Sequence, residues 1–357
     1  MRSPFRDEQE AALARVDRLE RENAELRAKL AAAHRSTGRG APARPTLAIA
    51  LSVLSAATVT GVVTARLPSR PDRSLAPPAM TAASRADGHW RAITASPRTL
   101  RAAVSIAGTI YLAGDDGGIL RFGEPEAEGD DAVPRRLSLF GVGGTRGHVF
   151  AVGEHGTVLA ETNARGWEPI NAPTELDLLA VTTAGETVYA VGRSGAIVER
   201  VQGRWIADRS GTTRDLYGVT RTPEAIYAVG AGGTILVQRD GVRAWIEEPS
   251  GVGADLLGVF HQDGVVYAVG KGGAILRRAR DGWVREASGT LHDLHAVGGD
   301  GQSIYAVGAA GTVLRSAGAG VWRLEEAHTT GDLLCVAGTG DLVYAAGVDG
   351  TLLRRSY

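Results

Sequence analysis

One short apolar phrase recurs seven times along the chain. Most copies read Val or Ile, then Tyr-Ala-Val-Gly, and they end at Gly114, Gly153, Gly192, Gly230, Gly270, Gly308 and Gly347. The intervals between these glycines are 39, 39, 38, 40, 38 and 39 residues. A unit of about 40 residues without helical patterning is typical of a propeller blade. The period therefore predicts an all-β, seven-bladed β-propeller over residues 88–357.

Tryptophans predict how the ring closes. Five of them, from Trp167 to Trp322, each stand 14 residues before the valine of the next blade's first strand. Trp90 keeps the same distance from Val104 although no blade precedes it, and the chain stops at Tyr357 after a third strand. The segment around Trp90 is therefore expected to supply the fourth strand of the last blade. The fourth strand of the first blade carries Glu128 where the tryptophan is missing.

The composition excludes several function classes. A formal charge of −1 over 357 residues gives no bulk attraction to nucleic acid. The single cysteine, Cys335, allows no intrachain disulfide, and its apolar surroundings predict a buried, inert thiol. The histidines show no spacing typical of metal ligands, so neither a metal nor another cofactor is expected.

The N-terminal 44 residues predict a cytoplasmic coiled coil followed by a basic linker. Apolar residues alternate in steps of four and three over residues 12–33, and Asn23 falls at a core position that favours a parallel dimer. The sequence thus predicts a homodimer, and a solvated amphipathic helix without a partner is the alternative. The predicted dimer contacts are Val16, Leu19, Asn23, Leu26 and Leu30.

An uncharged stretch at residues 45–65 has the length of one membrane crossing. The alternatives are a signal peptide cleaved after Ala65 and a buried helix. Five basic residues lie within 20 positions before the stretch and four after it, so we expect a cytoplasmic N-terminus. Residues 66–87, rich in proline, predict a stalk. The propeller would then lie outside the cytoplasm, in the periplasm, on a single-pass protein of the bacterial inner membrane.

The repeat phrases of residues 88–357 resemble propellers of the photosystem II assembly-factor type, which are relatives of the Asp-box repeats of bacterial neuraminidases. The elements that carry the resemblance are Asp-Leu-x-Gly-Val, Tyr-Ala-Val-Gly-x-x-Gly-Thr-Ile-Leu and Trp followed by Ser-Gly. Asp240-Gly241 before Trp245, and Asp281-Gly282-Trp283, are only degenerate Asp boxes. The resemblance implies an assembly role through protein contacts.

Two sets of charged residues on one face of the ring are candidates for binding a partner. Aspartates that recur once per blade could bind a cation or a basic segment, or could each cap a tight turn through backbone N–H groups. Arginines in the entry loops of the first two units break the symmetry and could dock a partner, or could be a solvated rim. The first set is Asp177, Asp215, Asp255, Asp293 and Asp332, and the second is Arg98, Arg101, Arg135 and Arg136.

No spacing in the chain supports a catalytic triad, and the Gly-x-x-Gly turns are not followed by the helix of a nucleotide loop. We therefore predict a non-catalytic, membrane-anchored scaffold that binds protein partners at the propeller rim. The alternative is a carbohydrate-binding or glycan-hydrolysing propeller with its site at the channel mouth.

Overall fold

A computed structural model describes residues 88–93, 98–123, 129–130, 137–162, 166–318 and 320–356. The predicted coiled coil at 1–44, membrane crossing at 45–65 and stalk at 66–87 lie outside these ranges and stay predictions, as does the dimer. Within the ranges, no helix has the length and apolar character that a membrane crossing requires.

The described chain forms seven four-stranded antiparallel sheets, which are the blades of the propeller. The first, innermost strands are β2 (Leu100–Ile106), β6 (Leu139–Thr145), β10 (Leu178–Ala184), β14 (Leu216–Arg221), β18 (Leu256–Gln262), β22 (Leu294–Gly299) and β26 (Leu333–Thr339). The second strands are β3 (Thr109–Gly114), β7 (His148–Gly153), β11 (Thr187–Gly192), β15 (Ala225–Gly230), β19 (Val265–Gly270), β23 (Ile304–Gly308) and β27 (Leu342–Gly347). The third strands are β4 (Ile119–Phe122), β8 (Val158–Glu161), β12 (Ala196–Val201), β16 (Ile235–Arg239), β20 (Ala274–Ala279), β24 (Val313–Ser316) and β28 (Leu352–Ser356). The fourth, outermost strands are β5 (Gly129–Asp130), β9 (Trp167–Ile170), β13 (Arg204–Arg209), β17 (Ile246–Glu247), β21 (Gly282–Glu286), β25 (Arg323–Glu325) and β1 (Trp90–Ala92).

The hydrophobic core lies between the blades. Each first strand packs against the first strands of both neighbouring blades, and β26 contacts β2, so the ring is closed. Seven clusters of buried apolar residues fill the seven interfaces, one between each pair of adjacent blades. The second strands are buried on both sides, as their unbroken apolar phrase predicts.

Strand β1 completes the seventh blade, as the tryptophan spacing predicts. It pairs antiparallel with β28 in the register Trp90 to Arg355. The Arg355 side chain is fully buried and donates from Nε and Nη2 to the Glu325 carboxylate of blade 6, at 3.0 and 3.1 Å. Trp90 donates from Nε1 to the same carboxylate at 2.8 Å and meets the Tyr305 ring edge to face. Both strands of the closing pair, β1 and β28, therefore also bind the neighbouring blade through Glu325.

The Gly-x-x-Gly turns between second and third strands are single turns of 3₁₀-helix. A Gly-x-x-Gly phrase between two strands favours a tight hairpin turn with positive φ at both glycines, and this expectation is wrong for the first one. In blade 4, Gly230 is extended at φ −167°. A Cβ on Gly230 would lie 2.0 Å from the carbonyl oxygen of Asp215, so close approach of backbone requires glycine there. Gly233, at φ 74°, has the left-handed conformation that we expected.

The seven turns and the entry loops into the first strands lie on the same side of the ring, here called the turn face. The third strand of blade 7 runs from this face to the opposite one, and β1 runs back antiparallel to it. Gly88 and Ser356 therefore both lie on the opposite side, here called the terminus face.

Candidate binding surface at the channel mouth

A β-bulge interrupts every first strand at its second residue. The register against the second strand skips one position in all seven blades, for example between Leu216 and Gly218. A bulged residue leaves the regular alternation of side chains, so a bulge changes where its side chain points. All seven bulged residues line the central channel at the turn face, and together we call them the mouth ring: Arg101, Phe140, Leu179, Tyr217, Leu257, His295 and Leu334.

The mouth ring is largely apolar and stays accessible. None of its seven side chains is buried, although five of them are aliphatic or aromatic. The guanidinium of Arg101 lies 5.7 Å from the centre of the Phe140 ring, and His295 Nδ1 lies 3.0 Å from the carbonyl oxygen of Leu333. The space that the ring borders measures about 170 Å³, which is enough for one apolar side chain. The sequence pointed to Arg101 alone in this ring, because the constant length of the repeat gives no sign of the bulge that brings the other six side chains to the channel.

A collar of aspartates surrounds the mouth ring. The Oδ1 atoms of the five predicted aspartates each accept a hydrogen bond from the middle residue of a 3₁₀ turn, at 2.8 to 2.9 Å. In each case the turn belongs to the preceding blade, for example Ser194 N–H to Asp215. The aspartates therefore cap backbone N–H groups, as one of our two interpretations has it, but they link adjacent blades instead of capping their own turn. The collar residues are Asp177, Asp215, Asp255, Asp293 and Asp332.

The second carboxylate oxygen of the collar is used differently from blade to blade. Oδ2 of Asp215 binds Arg193 Nη1 at 2.7 Å, and Oδ2 of Asp255 binds Lys271 Nζ at 2.7 Å. Although burial raises the pKa of Asp215, the bonds from Ser194 N–H and Arg193 outweigh it and lower that pKa. Lys271 and the backbone N–H of Gly232 lower the pKa of Asp255.

No ion pair within the described part of the chain involves the remaining three collar carboxylates, Asp177, Asp293 and Asp332. Arg193 begins the turn of the blade before Asp215, whereas Lys271 begins the turn of Asp255's own blade. The two turns next to Asp332 begin with Ala309 and Val348, neither of which is a cation. The collar therefore has two neutralised aspartates and three that present an open oxygen.

The predicted arginine cluster is seen only in part. Arg101 does not lie in an entry loop, as we predicted, but at the bulge of β2 in the mouth ring. It forms an ion pair with Asp115 at 2.6 Å. Arg98 lies beside Gly118, next to the turn of blade 1. Arg135 and Arg136 lie outside the described residues, so their proximity to the other two stays a prediction.

Few groups on this surface could act as a nucleophile or bind a metal ion. Cys335 is buried beneath the ring, and burial raises the pKa of its thiol to about 12, so it is not a nucleophile at neutral pH. Among the described residues, no cluster of histidine, cysteine, aspartate or glutamate side chains could hold a metal ion.

Comparison with solved structures finds propellers of several functions. YCF48 bound to D1 peptide is 17% identical, with a TM-score of 0.63, over 75% of this chain and 95% of that one. Virginiamycin B lyase from Staphylococcus aureus is 11% identical, with a TM-score of 0.69, over 76% and 100%. The WD40 propeller domain of Doa1 is 11% identical, with a TM-score of 0.62, over 76% and 97%. Neither a family model nor a curated protein sequence matches the chain. These likenesses show the seven-bladed propeller fold, and the finer resemblance of the repeats to assembly-factor propellers and to Asp-box repeats stays a prediction.

Proposed function

We propose that this protein is an interaction scaffold that binds a segment of a partner protein at the channel mouth. The observation that carries the proposal is the mouth ring, in which four bulges hold wholly apolar side chains and a fifth holds Tyr217, all partly exposed. An apolar cluster rimmed by polar groups is typical of a protein-binding site, because the partner removes the apolar surface from water.

The shape of the surface favours an extended segment over a folded domain. The space at the mouth measures about 170 Å³, close to the size of a single side chain. Around it, Asp293 and Asp332 each use one carboxylate oxygen for a turn N–H and keep the other for a chain lying across them. Among the structural neighbours, YCF48 has been solved with a bound peptide, which makes peptide binding a reasonable use of this fold.

The proposal includes the presentation of this surface on a membrane. In it, the stretch at 45–65 anchors a dimer in the inner membrane, and the propeller stands outside the cytoplasm. The position of Gly88 supports this arrangement, because this first described residue lies on the terminus face and the mouth ring lies on the opposite one. Protease accessibility of the propeller in spheroplasts, compared with intact cells, tests the topology. Crosslinking of Asn23→Lys against the unaltered protein tests the dimer.

Site-specific photo-crosslinking in cells tests the binding surface. A photoreactive amino acid replaces Leu257 in the mouth ring of the full-length protein, and the control places it at Asp341 on the terminus face. We expect one protein to be captured reproducibly from the Leu257 position and not from Asp341. Equal capture from both positions, or capture of nothing from Leu257, would refute binding of a protein at the mouth.

The competing hypothesis is a carbohydrate-binding or glycan-hydrolysing propeller. Virginiamycin B lyase is an enzyme of the same fold, and the mouth ring includes two polar rings, those of Tyr217 and His295. This hypothesis predicts that purified protein retains or cleaves glycans on an array and loses this behaviour in Tyr217→Phe. A scaffold retains no glycan in the same assay.

A further inference from the structure

We infer that the partner segment is basic: an extended polypeptide whose apolar anchor enters the mouth ring and whose flanking lysine or arginine side chains bind Asp293 and Asp332. This inference rests on the proposed function and names the chemistry of the partner. The argument uses the open oxygens of the collar and their position relative to the ring.

The molecule itself contains the contact that we assign to the partner. In the collar, Oδ1 is fixed by a backbone N–H, and this leaves Oδ2 for a second partner. Arg193 binds Oδ2 of Asp215 and Lys271 binds Oδ2 of Asp255, both at 2.7 Å. Asp293 and Asp332 have the same fixed Oδ1, held by Gly272 and Ala310 N–H at 2.8 and 2.9 Å. A guanidinium or ammonium group from a partner can therefore bind their Oδ2 atoms as Arg193 and Lys271 bind those of Asp215 and Asp255.

Charge in the sector of blades 6 and 7 favours a cationic partner. The turns on either side of Asp332 begin with Ala309 and Val348, and the second of them adds a third carboxylate, Asp349. Lys271 begins the turn before Asp293 but pairs with Asp255 at 2.7 Å. An anionic segment would meet unbalanced carboxylates here, whereas a basic one would complete the pairs.

The spacing of the groups defines the pattern that the partner needs. Each collar aspartate lies two residues before the mouth-ring residue of its own blade, as Asp332 does before Leu334 and Asp293 does before His295. In an extended peptide, residues two apart point to the same side and lie about 6 to 7 Å from each other. A segment with an apolar residue at one position and a basic residue two positions away on each side matches this arrangement.

Fluorescence anisotropy with three labelled peptides on the full-length protein tests the inference. The first peptide has a central leucine with lysine two residues away on each side, in a serine and glycine background. The second replaces both lysines by glutamate, and the third replaces the leucine by serine. We expect the first peptide to bind more tightly than the other two, with an affinity that falls as salt is added.

Two double variants locate the binding. Asn retains the Oδ1 acceptor, so Asp293→Asn with Asp332→Asn keeps the blade contacts while removing both charges. We expect this variant to bind the lysine peptide roughly three- to tenfold more weakly, as the loss of two exposed ion pairs implies. Asp263→Asn with Asp341→Asn makes the same change of charge on the terminus face and should leave binding unchanged. Equal loss in both double variants would indicate only bulk electrostatics and would overturn the inference.

The failure of this inference can be distinguished from the failure of the proposed function. If the glutamate peptide binds as tightly as the lysine peptide, or if no peptide binds, the partner is not basic. The proposed function still holds in that case if the photoreactive group at Leu257 captures a protein. If Leu257→Asp binds the lysine peptide as the unaltered protein does, the mouth is not the site, and both proposals fall.

Discussion

At the scale of single residues, a tryptophan contact joins most neighbouring blades. The Nε1 atoms of four tryptophans donate to a carboxylate on the fourth strand of the preceding blade, at 2.8 to 3.1 Å. That carboxylate always lies three residues after the preceding blade's own tryptophan, as Asp208 lies after Trp205. Between blades 2 and 3 the corresponding position is Ile170, and Nε1 of Trp205 is buried without a hydrogen-bond partner among the described residues.

The missing acceptor predicts a stabilising substitution. Ile170→Gln places an amide oxygen where the other blades have a carboxylate. A buried donor without a partner costs about 1 to 3 kcal/mol, so we expect this variant to have the higher melting temperature. Thermal unfolding measures the effect, and the same change in a Trp205→Phe background is the control. A gain that persists without the indole N–H would contradict the explanation.

The close backbone contact at the turns predicts the opposite effect for a methyl group. In Gly230→Ala the new Cβ would lie 2.0 Å from the carbonyl oxygen of Asp215, which also accepts a bond from Ala231 N–H. We expect a loss of about 1 to 3 kcal/mol in the free energy of unfolding by urea, as for other overpacked sites. Gly253→Ala is the matched control, because nothing lies within 4 Å of its Cβ. If the two variants have similar free energies of unfolding, the turn can shift to accommodate the methyl group without a measurable loss of stability.

At the scale of strands and turns, spacing predicted what recurs in every blade and failed where a contact crosses between blades. The number of blades and the role of the segment at Trp90 follow from distances along the chain. The bulges cannot be predicted from these distances. Each first strand starts 14 residues before its turn glycine in all seven blades, as Leu216 does before Gly230. A constant length gives no sign that the register skips a residue. In the same way, the recurring aspartates predicted caps of backbone N–H groups. Only the packing of the blades shows that the capped turn belongs to the preceding blade.

The closing strand predicts a large effect from one side chain. Trp90→Ala removes the edge-to-face contact with Tyr305 and the bond to Glu325, and β1 has only three residues to hold it. We expect a loss of about 3 to 5 kcal/mol in unfolding free energy. Hydrogen exchange should then be faster along β28, which loses its outer neighbour, than along third strands of other blades.

Trp205→Ala is the control for the closing strand. It removes a side chain of the same size and an edge-to-face contact with Phe150, but it removes no hydrogen bond. It also leaves the pairing of β1 with β28 intact. We expect a smaller loss of stability and no selective exchange in β28. If the two variants behave alike, β1 contributes no more to the ring than any other outer strand.

At the scale of the whole molecule, the two faces of the ring differ in what they carry. Gly88 and Ser356 lie on the terminus face, and the mouth ring and collar lie on the turn face. A partner bound at the mouth would therefore leave the terminus face uncovered. The same geometry implies that a bulky group interferes with binding according to the face to which it is attached.

Attaching polyethylene glycol to single cysteines tests this separation. Cys335 is buried with a raised thiol pKa, so a maleimide should react only with an introduced cysteine. Leu291→Cys lies in an entry loop on the turn face, where the leucine is 86% exposed, and Asp341→Cys lies on the terminus face. We expect the polymer at residue 291 to block crosslinking from the mouth ring and the same polymer at residue 341 to leave it intact. Because both attachments add the same excluded volume, only the face to which the polymer is attached can account for the difference. Blocking from both positions would mean that the partner also covers the terminus face.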